Sequence, residues 1–329
     1  MKIGFIGLGN VGGKLSGSLQ RNGFALTVRD LDRAVAAPFL ESGADWAESP
    51  KAMAEAVDLV ITCLPSPAAS RAVMEAEDGI LAGLGPGKIW MEMSTTDEAE
   101  VKRLGAAVEA TGAVALEAPV SGGCHRAATG NIAIFVGGDR QAFERALPAL
   151  QVMGRRILHV GPLGAASVLK VVTNYLASVH LVAIGEALTV AKQADIDLAT
   201  TYEAIKVSSG NSFVHETESQ VILNGSYNIN FTMDLVVKDM SLFDGLAQRL
   251  GVPLEVSPMV LDIFKDGQSR YGERAWSSMI VKRLEDACGC DLRADGFPSE
   301  LIDEEPEVPG AEVVVGGGNG LSQSPGGHT

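Results

Sequence analysis

The sequence predicts an α/β protein with an N-terminal doubly wound parallel sheet, a long linking helix and an all-helical C-terminal domain. Three observations predict this fold class. Short apolar strands alternate with helical patterns over residues 1 to about 160, which is typical of a parallel sheet covered by helices on both faces. Only helical patterns follow Pro162, and a glycine-rich loop joins the first strand to the first helix.

The N-terminal part alternates candidate strands with candidate helices. Strands are expected at 2–6, 24–29, 58–64, 88–93, 113–118, 131–136 and 156–160. Helices are expected near 10–21, 31–42, 66–76, 97–110 and 139–150. The gap between residues 118 and 131 is short and glycine-rich, so we expect an antiparallel edge there.

The C-terminal part begins with an apolar helix over about residues 163–193, roughly 45 Å long at 1.5 Å per residue. Because this run contains Lys170, Asn174, His180 and Glu186, we expect a buried core helix rather than a membrane span. Further helices are expected near 198–207, 212–222, 232–250, 256–268 and 274–287.

These patterns divide the chain into a sheet domain (1–162), an interdomain helix (163–193), a helical domain (194–290) and a tail (291–329). The tail is acidic and rich in Gly and Pro, so we expect it to be partly disordered. It carries eight acids against one base, Arg293, and supplies about half of the net charge of -15.

The composition excludes some functions. A net charge of -15 argues against binding to nucleic acid, whose phosphates require a basic surface. The four cysteines show no metal-ligand spacing, so no metal site is predicted, and reduced thiols in a cytoplasmic protein are expected. The N-terminus opens on a strand and lacks the apolar core of a signal peptide.

The glycine-rich loop predicts a dinucleotide site. It contains Gly7, Gly9, Asn10, Val11 and Gly12, and it follows a strand and opens a helix. Glycines at this spacing permit a tight turn and bring a pyrophosphate close to the helix N-terminus. Residues 1–162 are therefore expected to be a dinucleotide-binding domain. The alternative is a tight turn that binds no ligand.

The choice between NAD and NADP depends on the end of the second strand. Asp30 lies there, 18 residues after Gly12. An acid at this position accepts hydrogen bonds from the ribose hydroxyls and repels a 2′-phosphate, so NAD is favoured. Arg29 and Arg33 flank Asp30 and offer cations for a 2′-phosphate, so NADP stays open as an alternative.

Two further loops follow strands at their carboxyl ends, where open sheets place ligands. One contains Leu64, Pro65 and Ser66, and the other contains Ser94 and Thr95. We expect both loops to line the nicotinamide side of the cofactor. The alternative for each is a helix cap.

Lys170 is the candidate base. It lies in an otherwise apolar helical run, and Asn174 follows one turn later on the same helix face. Desolvation lowers the pKa of a lysine from about 10.4 toward neutrality, which suits acid–base chemistry. The alternative is a lysine whose stem packs in the protein while its amine reaches water.

The chain resembles the β-hydroxyacid dehydrogenases, the group that includes 3-hydroxyisobutyrate dehydrogenase. Four blocks carry the resemblance in the family's order, and the match extends from residue 1 to about 285. The blocks are Gly7-Leu-Gly-Asn-Val-Gly-Gly13, Ala118-Pro-Val-Ser-Gly-Gly123, Gly161 to Asn174, and Val237-Lys-Asp239. The resemblance implies an N-terminal Rossmann domain, a long linking helix and a helical domain that forms homodimers or homotetramers.

The resemblance also implies residue roles. Ser121, Gly122 and Gly123 match the segment that holds the substrate carboxylate, for which backbone N–H groups are suited. Lys170 matches the catalytic lysine, and Asn174 matches the residue that orients substrate and lysine. Lys238 matches a second lysine near the nicotinamide and the substrate. The alternative for Lys238 is a salt bridge to Asp239 or to a neighbouring acid.

Three departures from the family pattern are visible. His125 and Arg126 follow Cys124 where small residues are usual, and they would suit a second polar or anionic group on the substrate, with surface exposure as the alternative. Ala166 and Ser167 replace the usual Gly and Gln before the lysine, which would alter the start of the helix. The acidic tail exceeds the common family length.

The sequence therefore predicts an NAD(P)-dependent oxidoreductase that interconverts a small 3-hydroxy acid and its semialdehyde or 3-oxo acid. The acid would be 3-hydroxyisobutyrate-like, sugar-acid-like or a sulfonated analogue, with Lys170 as general acid/base. One alternative is an NAD(P)H-dependent imine reductase, which the retained lysine disfavours. The other is a non-catalytic dinucleotide-binding module, because fold alone does not fix function.

Overall fold

The structure is a computed structural model that describes residues 1–315. The strands are β1 (Lys2–Ile6), β2 (Ala25–Arg29), β3 (Asp45–Trp46), β4 (Leu59–Thr62), β5 (Ile89–Glu92), β6 (Val114–Glu117), β7 (Val120–Ser121), β8 (Ile132–Gly138), β9 (Gly154–Gly161) and β10 (Ala311–Glu312). They form one sheet in the order β10-β9-β8-β6-β5-β4-β1-β2-β3, and β7 pairs with β8 beside this path.

Helices cover both faces of this sheet. They are α1 (Gly12–Arg21), α2 (Ala37–Glu41), α3 (Pro50–Ala56), α4 (Pro67–Glu75), α5 (Glu98–Ala110), α6 (Cys124–Ala128) and α7 (Arg140–Met153). Successive side chains of a strand point to opposite faces. In β4, Leu59 and Ile61 accordingly join the core under α1 and α7, whereas Val60 joins the core under α3 and α5. The predicted doubly wound sheet is confirmed.

The antiparallel pairing lies inside the sheet rather than at its edge. Strands β3, β2, β1, β4, β5 and β6 are parallel, and β8 pairs antiparallel with both β6 and β7. The predicted edge is wrong because β9 and β10 continue the sheet beyond β8. The sequence also gave no signal for the two-residue strand β3, which is too short to show an alternating pattern.

The C-terminal part is helical, as predicted. Helix α8 (Ala165–Gln193) is followed by α9 (Leu198–Lys206), α10 (Phe213–Asn224), α11 (Met233–Leu250), α12 (Val256–Tyr271) and α13 (Lys282–Cys288), with a 3₁₀ turn at Ser277–Val281. Small residues let helices approach closely here. A Cβ built on Gly185 would lie 2.7 Å from Cγ1 of Val281, so the 3₁₀ turn packs directly on the backbone of α8.

Helix α8 is long and apolar enough to cross a membrane by length and composition, a test that the core helix of a soluble protein also passes. Its N-terminal half packs against the sheet, and the whole helix contacts α10, α11 and α12. Lys170, Ser178 and Thr189 are buried on it. Helix α8 therefore links the sheet domain to the helical domain.

The tail, which the sequence predicts to be partly disordered, follows a defined path over residues 291–315. Leu292 is fully buried against the helical domain. The chain then crosses to the sheet domain, where β10 pairs with β9 and Arg140 forms two hydrogen bonds with Glu312, at 2.6 and 2.9 Å. Residues 316–329, which hold the most glycine-rich stretch, lie outside the described residues.

Candidate active site

The glycine loop has the shape that a pyrophosphate requires. Gly7 has φ 98°, a left-handed value, and a Cβ on it would collide with the carbonyl of Cys63. A Cβ on Gly12 would collide with the carbonyl of Gly7, whereas a Cβ on Gly9 would meet nothing within 4 Å. The loop is tight at both ends and open above Gly9, next to the N-terminus of α1. The residues present fit a bound dinucleotide.

Asp30 lies at the edge of this loop. Its Oδ2 accepts a hydrogen bond from the backbone N–H of Leu8 at 2.7 Å, and its Oδ1 accepts one from the N–H of Asp32 at 3.1 Å. Each carboxylate oxygen has a second lone pair, so Asp30 retains capacity for the ribose hydroxyls.

The side chains of Arg29 and Arg33, the two arginines beside Asp30, are held by different contacts. Arg29 donates hydrogen bonds to the backbone carbonyls of Ala47 and Glu48, at 2.9 and 2.7 Å. Arg33 stacks over the ring of Trp46 with its guanidinium carbon 5.0 Å from the centroid, and its side chain is 65% exposed. Arg33 also lies 3.9 Å from Glu48 in an exposed ion pair. Because that pair is exposed to solvent, Arg33 is the arginine of the two that could turn toward a 2′-phosphate.

The two loops predicted to line the nicotinamide side are joined to each other. Ser94 Oγ accepts from the N–H of Leu64 at 2.7 Å and donates to the buried carboxyl of Glu92. Burial raises the pKa of Glu92, and the hydrogen bonds from Ser94 oppose this shift. Ser66 caps α4 by accepting from the N–H of Ala69. The hydroxyls of Ser66 and Ser94 thus support the loops from within the protein.

The candidate carboxylate site follows β6. Strand β7 ends at Ser121, and Gly122 and Gly123 have φ values of 129° and 89°, which favour glycine. The first turn of α6 begins immediately afterwards. Helix α8 packs against β7, so the structure brings this segment beside the helix that carries Lys170.

His125 and Arg126 point in different directions. The His125 ring folds back over Gly123, where a Cβ would lie 2.8 Å from its Cε1. Burial and the neighbouring Arg126 lower the pKa of His125, although Asp303 opposes this shift. Arg126 stacks over Phe213 at 5.0 Å and lies 3.5 Å from Glu305. The guanidinium of Arg126 is therefore paired with the tail, although its stem lies beside Gly122, where a Cβ would be 3.5 Å from Arg126 Cδ. The His125 ring lies beside Gly123.

Lys170 is buried, with 8% of its surface exposed, and its amine does not reach water as a snorkelling lysine would. Its Nζ donates to Asn174 Oδ1 at 2.7 Å, and Asn174 Nδ2 donates to Asp239 Oδ2 at 2.5 Å. Asn174 therefore holds the amine of Lys170 with its carbonyl and the carboxylate of Asp239 with its amide nitrogen.

Lys238 completes the network from α11. Its Nζ lies 2.7 Å from Asp239 Oδ1 in an ion pair, and it donates to the backbone carbonyl of Thr95 at 2.9 Å. The salt bridge considered as the alternative for Lys238 is present. The same amine also ties the helical domain to the cofactor side of the sheet domain.

Burial sets the proton affinity of Lys170. Desolvation lowers its pKa from 10.5 to about 8; Asp239 opposes this shift and Lys238 adds to it. A lysine with a pKa near neutrality can exchange a proton with a hydroxyl group under physiological conditions. The arrangement suits a base that must alternate between amine and ammonium.

Sequence reasoning missed two supporting carboxylates. Glu92 and Glu117 end the apolar strands β5 and β6, and both are buried. A charged residue at the carboxyl end of an otherwise apolar strand was the available signal. Glu117 binds the N-terminus of α8.

Comparison with known proteins agrees with this geometry. Residues 2–161 match the family model of the NAD binding domain of 6-phosphogluconate dehydrogenase. Residues 164–284 match the model described as NAD-binding of NADP-dependent 3-hydroxyisobutyrate dehydrogenase.

Individual proteins match over most of their length. The chain is 31% identical to 2-(hydroxymethyl)glutarate dehydrogenase of Eubacterium barkeri, over 89% of this chain and 97% of that protein. It is 32% identical to NAD-dependent L-serine dehydrogenase of Pseudomonas aeruginosa, over 87% of this chain and 98% of that protein. A solved 3-hydroxyisobutyrate dehydrogenase from Salmonella typhimurium has a TM-score of 0.79 and 30% identity, and the match covers 86% of this chain and 99% of that one.

The open space above Gly9 gives a direct test of cofactor binding. Gly9→Ala should leave the free energy of unfolding unchanged, because the added methyl meets no protein atom. It should weaken NADH binding, measured by fluorescence titration, by about 10-fold or more because the methyl occupies the space expected for the pyrophosphate. Gly85→Ala, at another open position, is the control and should change neither quantity. Unchanged NADH affinity in Gly9→Ala would place the cofactor elsewhere.

Proposed function

This chain belongs to the β-hydroxyacid dehydrogenase family, and we propose that it oxidises a small 3-hydroxy acid to its semialdehyde or 3-oxo acid with Lys170 as general acid/base. It is an NAD(P)-dependent oxidoreductase acting on a CH–OH group. The single observation that carries the proposed mechanism is the buried amine of Lys170, which is hydrogen-bonded to Asn174 on the helix that packs against β7, the strand that ends at Ser121.

Lys170 moves the proton of the reaction. In oxidation its neutral amine takes the hydroxyl proton while hydride leaves the carbon that carries the hydroxyl. In reduction its ammonium returns that proton to the carbonyl oxygen. The bound nicotinamide supplies the hydride acceptor or donor. Asn174 holds the amine in place, and Asp239 fixes the orientation of Asn174.

The substrate carboxylate would be held by the Ser121 hydroxyl and the backbone N–H groups of Gly122 and Gly123. Lys238, whose side chain is 21% exposed, adds positive charge nearby. Of the two residues that depart from the family pattern, His125 remains available to a polar substituent of the substrate. Arg126 would have to leave Glu305 and Phe213 to do so.

We propose NAD as the preferred cofactor. Asp30 stands beside the glycine loop and accepts from Leu8, so its negative charge lies where a 2′-phosphate would approach. Arg29 is held by two backbone carbonyls, which leaves Arg33 as the one arginine of the pair able to compensate.

We propose a cytoplasmic homodimer or homotetramer that binds neither nucleic acid nor a membrane surface. The net charge of -15 supports the first exclusion. Leu169, Leu176 and Val190 are spaced by multiples of seven along α8 and are 39%, 46% and 68% exposed. This spacing is typical of a helix that packs on another helix, so sedimentation velocity of the full chain should show an assembly larger than one chain.

The site disfavours the two alternative hypotheses, a non-catalytic dinucleotide-binding module and an imine reductase. A non-catalytic module has no use for a buried lysine with a depressed pKa, because such groups concentrate where chemistry occurs. Imine reduction would not require the carboxylate site beside Lys170.

The proposed function is tested with a panel of 3-hydroxy acids, each assayed with NAD and with NADP by the absorbance of the reduced cofactor. At least one 3-hydroxyisobutyrate-like, sugar-acid-like or sulfonated acid should be oxidised, with a higher kcat/KM for NAD than for NADP. Lys170→Met should bind NADH but turn over about 10²- to 10⁴-fold more slowly, which is the usual worth of general acid–base catalysis. No turnover of any hydroxy acid by the unmodified protein would contradict the proposal.

A further inference from the structure

Glu117 occupies an unusual place between the two halves of the site. It ends β6 and is fully buried. Its Oε1 accepts from the backbone N–H groups of Gly164 and Ala166, at 2.6 and 2.8 Å. Its Oε2 accepts from the N–H of Ser167 at 3.0 Å and from the hydroxyl of the same residue. One carboxylate therefore accepts three backbone N–H groups and one hydroxyl at the N-terminus of α8.

The residues around Glu117 provide both space and hydrogen-bond donors for its carboxylate. Gly137 pairs with Glu117 across the sheet, and a Cβ on Gly137 would collide with Oε1. The first N–H groups of a helix have no partner within the helix, and a negative charge there is favourable. Ser167, one of the departures from the family pattern, supplies two of the four donors. The altered start of the helix is thus built around Glu117.

Glu117 connects the two groups that must meet the substrate. In one direction, β6 continues through Pro119 to Ser121, the start of the carboxylate site. In the other direction, Lys170 lies three residues after Ser167, about one helical turn along α8. We propose that Glu117 is a positioning residue that sets the distance between the substrate carboxylate and the amine of Lys170. This inference rests on the proposed function.

The test is Glu117→Gln, which keeps the shape but leaves one acceptor oxygen and turns an NH₂ group toward N–H donors. We expect kcat/KM to fall about 10- to 100-fold, mostly in kcat, since small misplacements of reacting groups have effects of this size. NADH affinity should be retained, because Glu117 does not contact the glycine loop. Ser167→Ala removes one donor and should give a smaller loss.

The pH profile distinguishes positioning from mere stabilisation. Asp239 and Lys238 are the charged groups that act on Lys170, and neither changes in Glu117→Gln. If α8 is displaced, the amine of Lys170 moves away from Asp239, the carboxylate that favours its ammonium form. The inflection assigned to Lys170 should then move to lower pH by roughly 0.3 to 0.7 units. Partial unfolding would lower activity at every pH without moving the inflection.

Two controls separate the possible outcomes. Glu100→Gln alters another buried glutamate of the sheet domain, paired with Arg71 and Arg103, and should leave the inflection in place. The pH dependence of Lys170 acetylation, followed by mass spectrometry, reports the lysine without any substrate. Wild-type kcat/KM and an unshifted inflection in Glu117→Gln would overturn the role of Glu117 while leaving the proposed function intact.

The contacts of the acidic tail support a second inference, and none of these contacts involves Glu117. Its first part is fixed to the helical domain, where Arg293 donates to Glu285 and Tyr227 at 2.8 and 2.6 Å. Asn228 then donates to Glu300 at 3.1 Å. This part of the tail is therefore fixed to the helical domain.

The next residues bind the sheet domain immediately after the carboxylate site. Asp303 accepts from Thr129 and, at 2.7 Å, from the buried Asn131. Glu305 pairs with Arg126, and Glu307 lies 3.3 Å from Arg21. We propose that residues 291–315 form a clasp that holds the two domains together and keeps the substrate cleft near its closed form.

The clasp is tested in the full chain by combining Asp303→Asn, Glu305→Gln and Glu307→Gln. The KM for the hydroxy acid and the Kd for NADH should rise about 3- to 10-fold while kcat is kept or increases, because lid and domain opening often limit product release. Glu304→Gln is the control, since Glu304 makes no side-chain hydrogen bond or ion pair within residues 1–315. Unchanged KM and Kd in the triple variant would overturn the clasp, and NADH binding keeps this test separate from the choice of substrate.

Discussion

The structure depends on the burial of one amine. Burial of Lys170 removes water from its ammonium group and so raises the free energy of the charged form. Two features of the structure compensate for this. The pKa falls to about 8, so the neutral form is accessible, and Asn174 and Asp239 provide a polar partner for either form. Lys238 balances Asp239 and reaches across to Thr95. The network that sets the proton affinity of Lys170 therefore also includes, through Lys238 and Thr95, a contact between the two domains.

Much of this could be predicted from the sequence because the signals are local. The glycine spacing, the strand–helix alternation and the isolated Lys170 each lie within one short segment. The roles of Glu117 and Asp239 could not, because they depend on which residues fold opposite them: Gly137 and the first turn of α8 for Glu117, Asn174 for Asp239. Arg126 shows the same limit, since its partners Phe213 and Glu305 come from distant parts of the chain.

The tail shows that composition alone does not predict the path of a segment. Its composition, rich in acids, Gly and Pro, is typical of disorder, yet residues 291–315 follow a defined path. The acids there meet cations and amide donors on two domains, and each contact is specific only in the folded protein. Gly310 is required for close approach, because a Cβ on it would collide with the carbonyl of Gly154. Composition therefore described the chemistry of the tail but not its partners.

The pH dependence of kcat/KM in both directions tests most directly the proposal that Lys170 gives and takes the proton of the reaction. Oxidation requires the neutral amine, so log kcat/KM should rise with pH and level off above a pKa of about 8. Reduction requires the ammonium, so it should be constant at lower pH and fall above the same value. Profiles that bend in the same sense in both directions, or a profile that persists in Lys170→Met, would contradict the account.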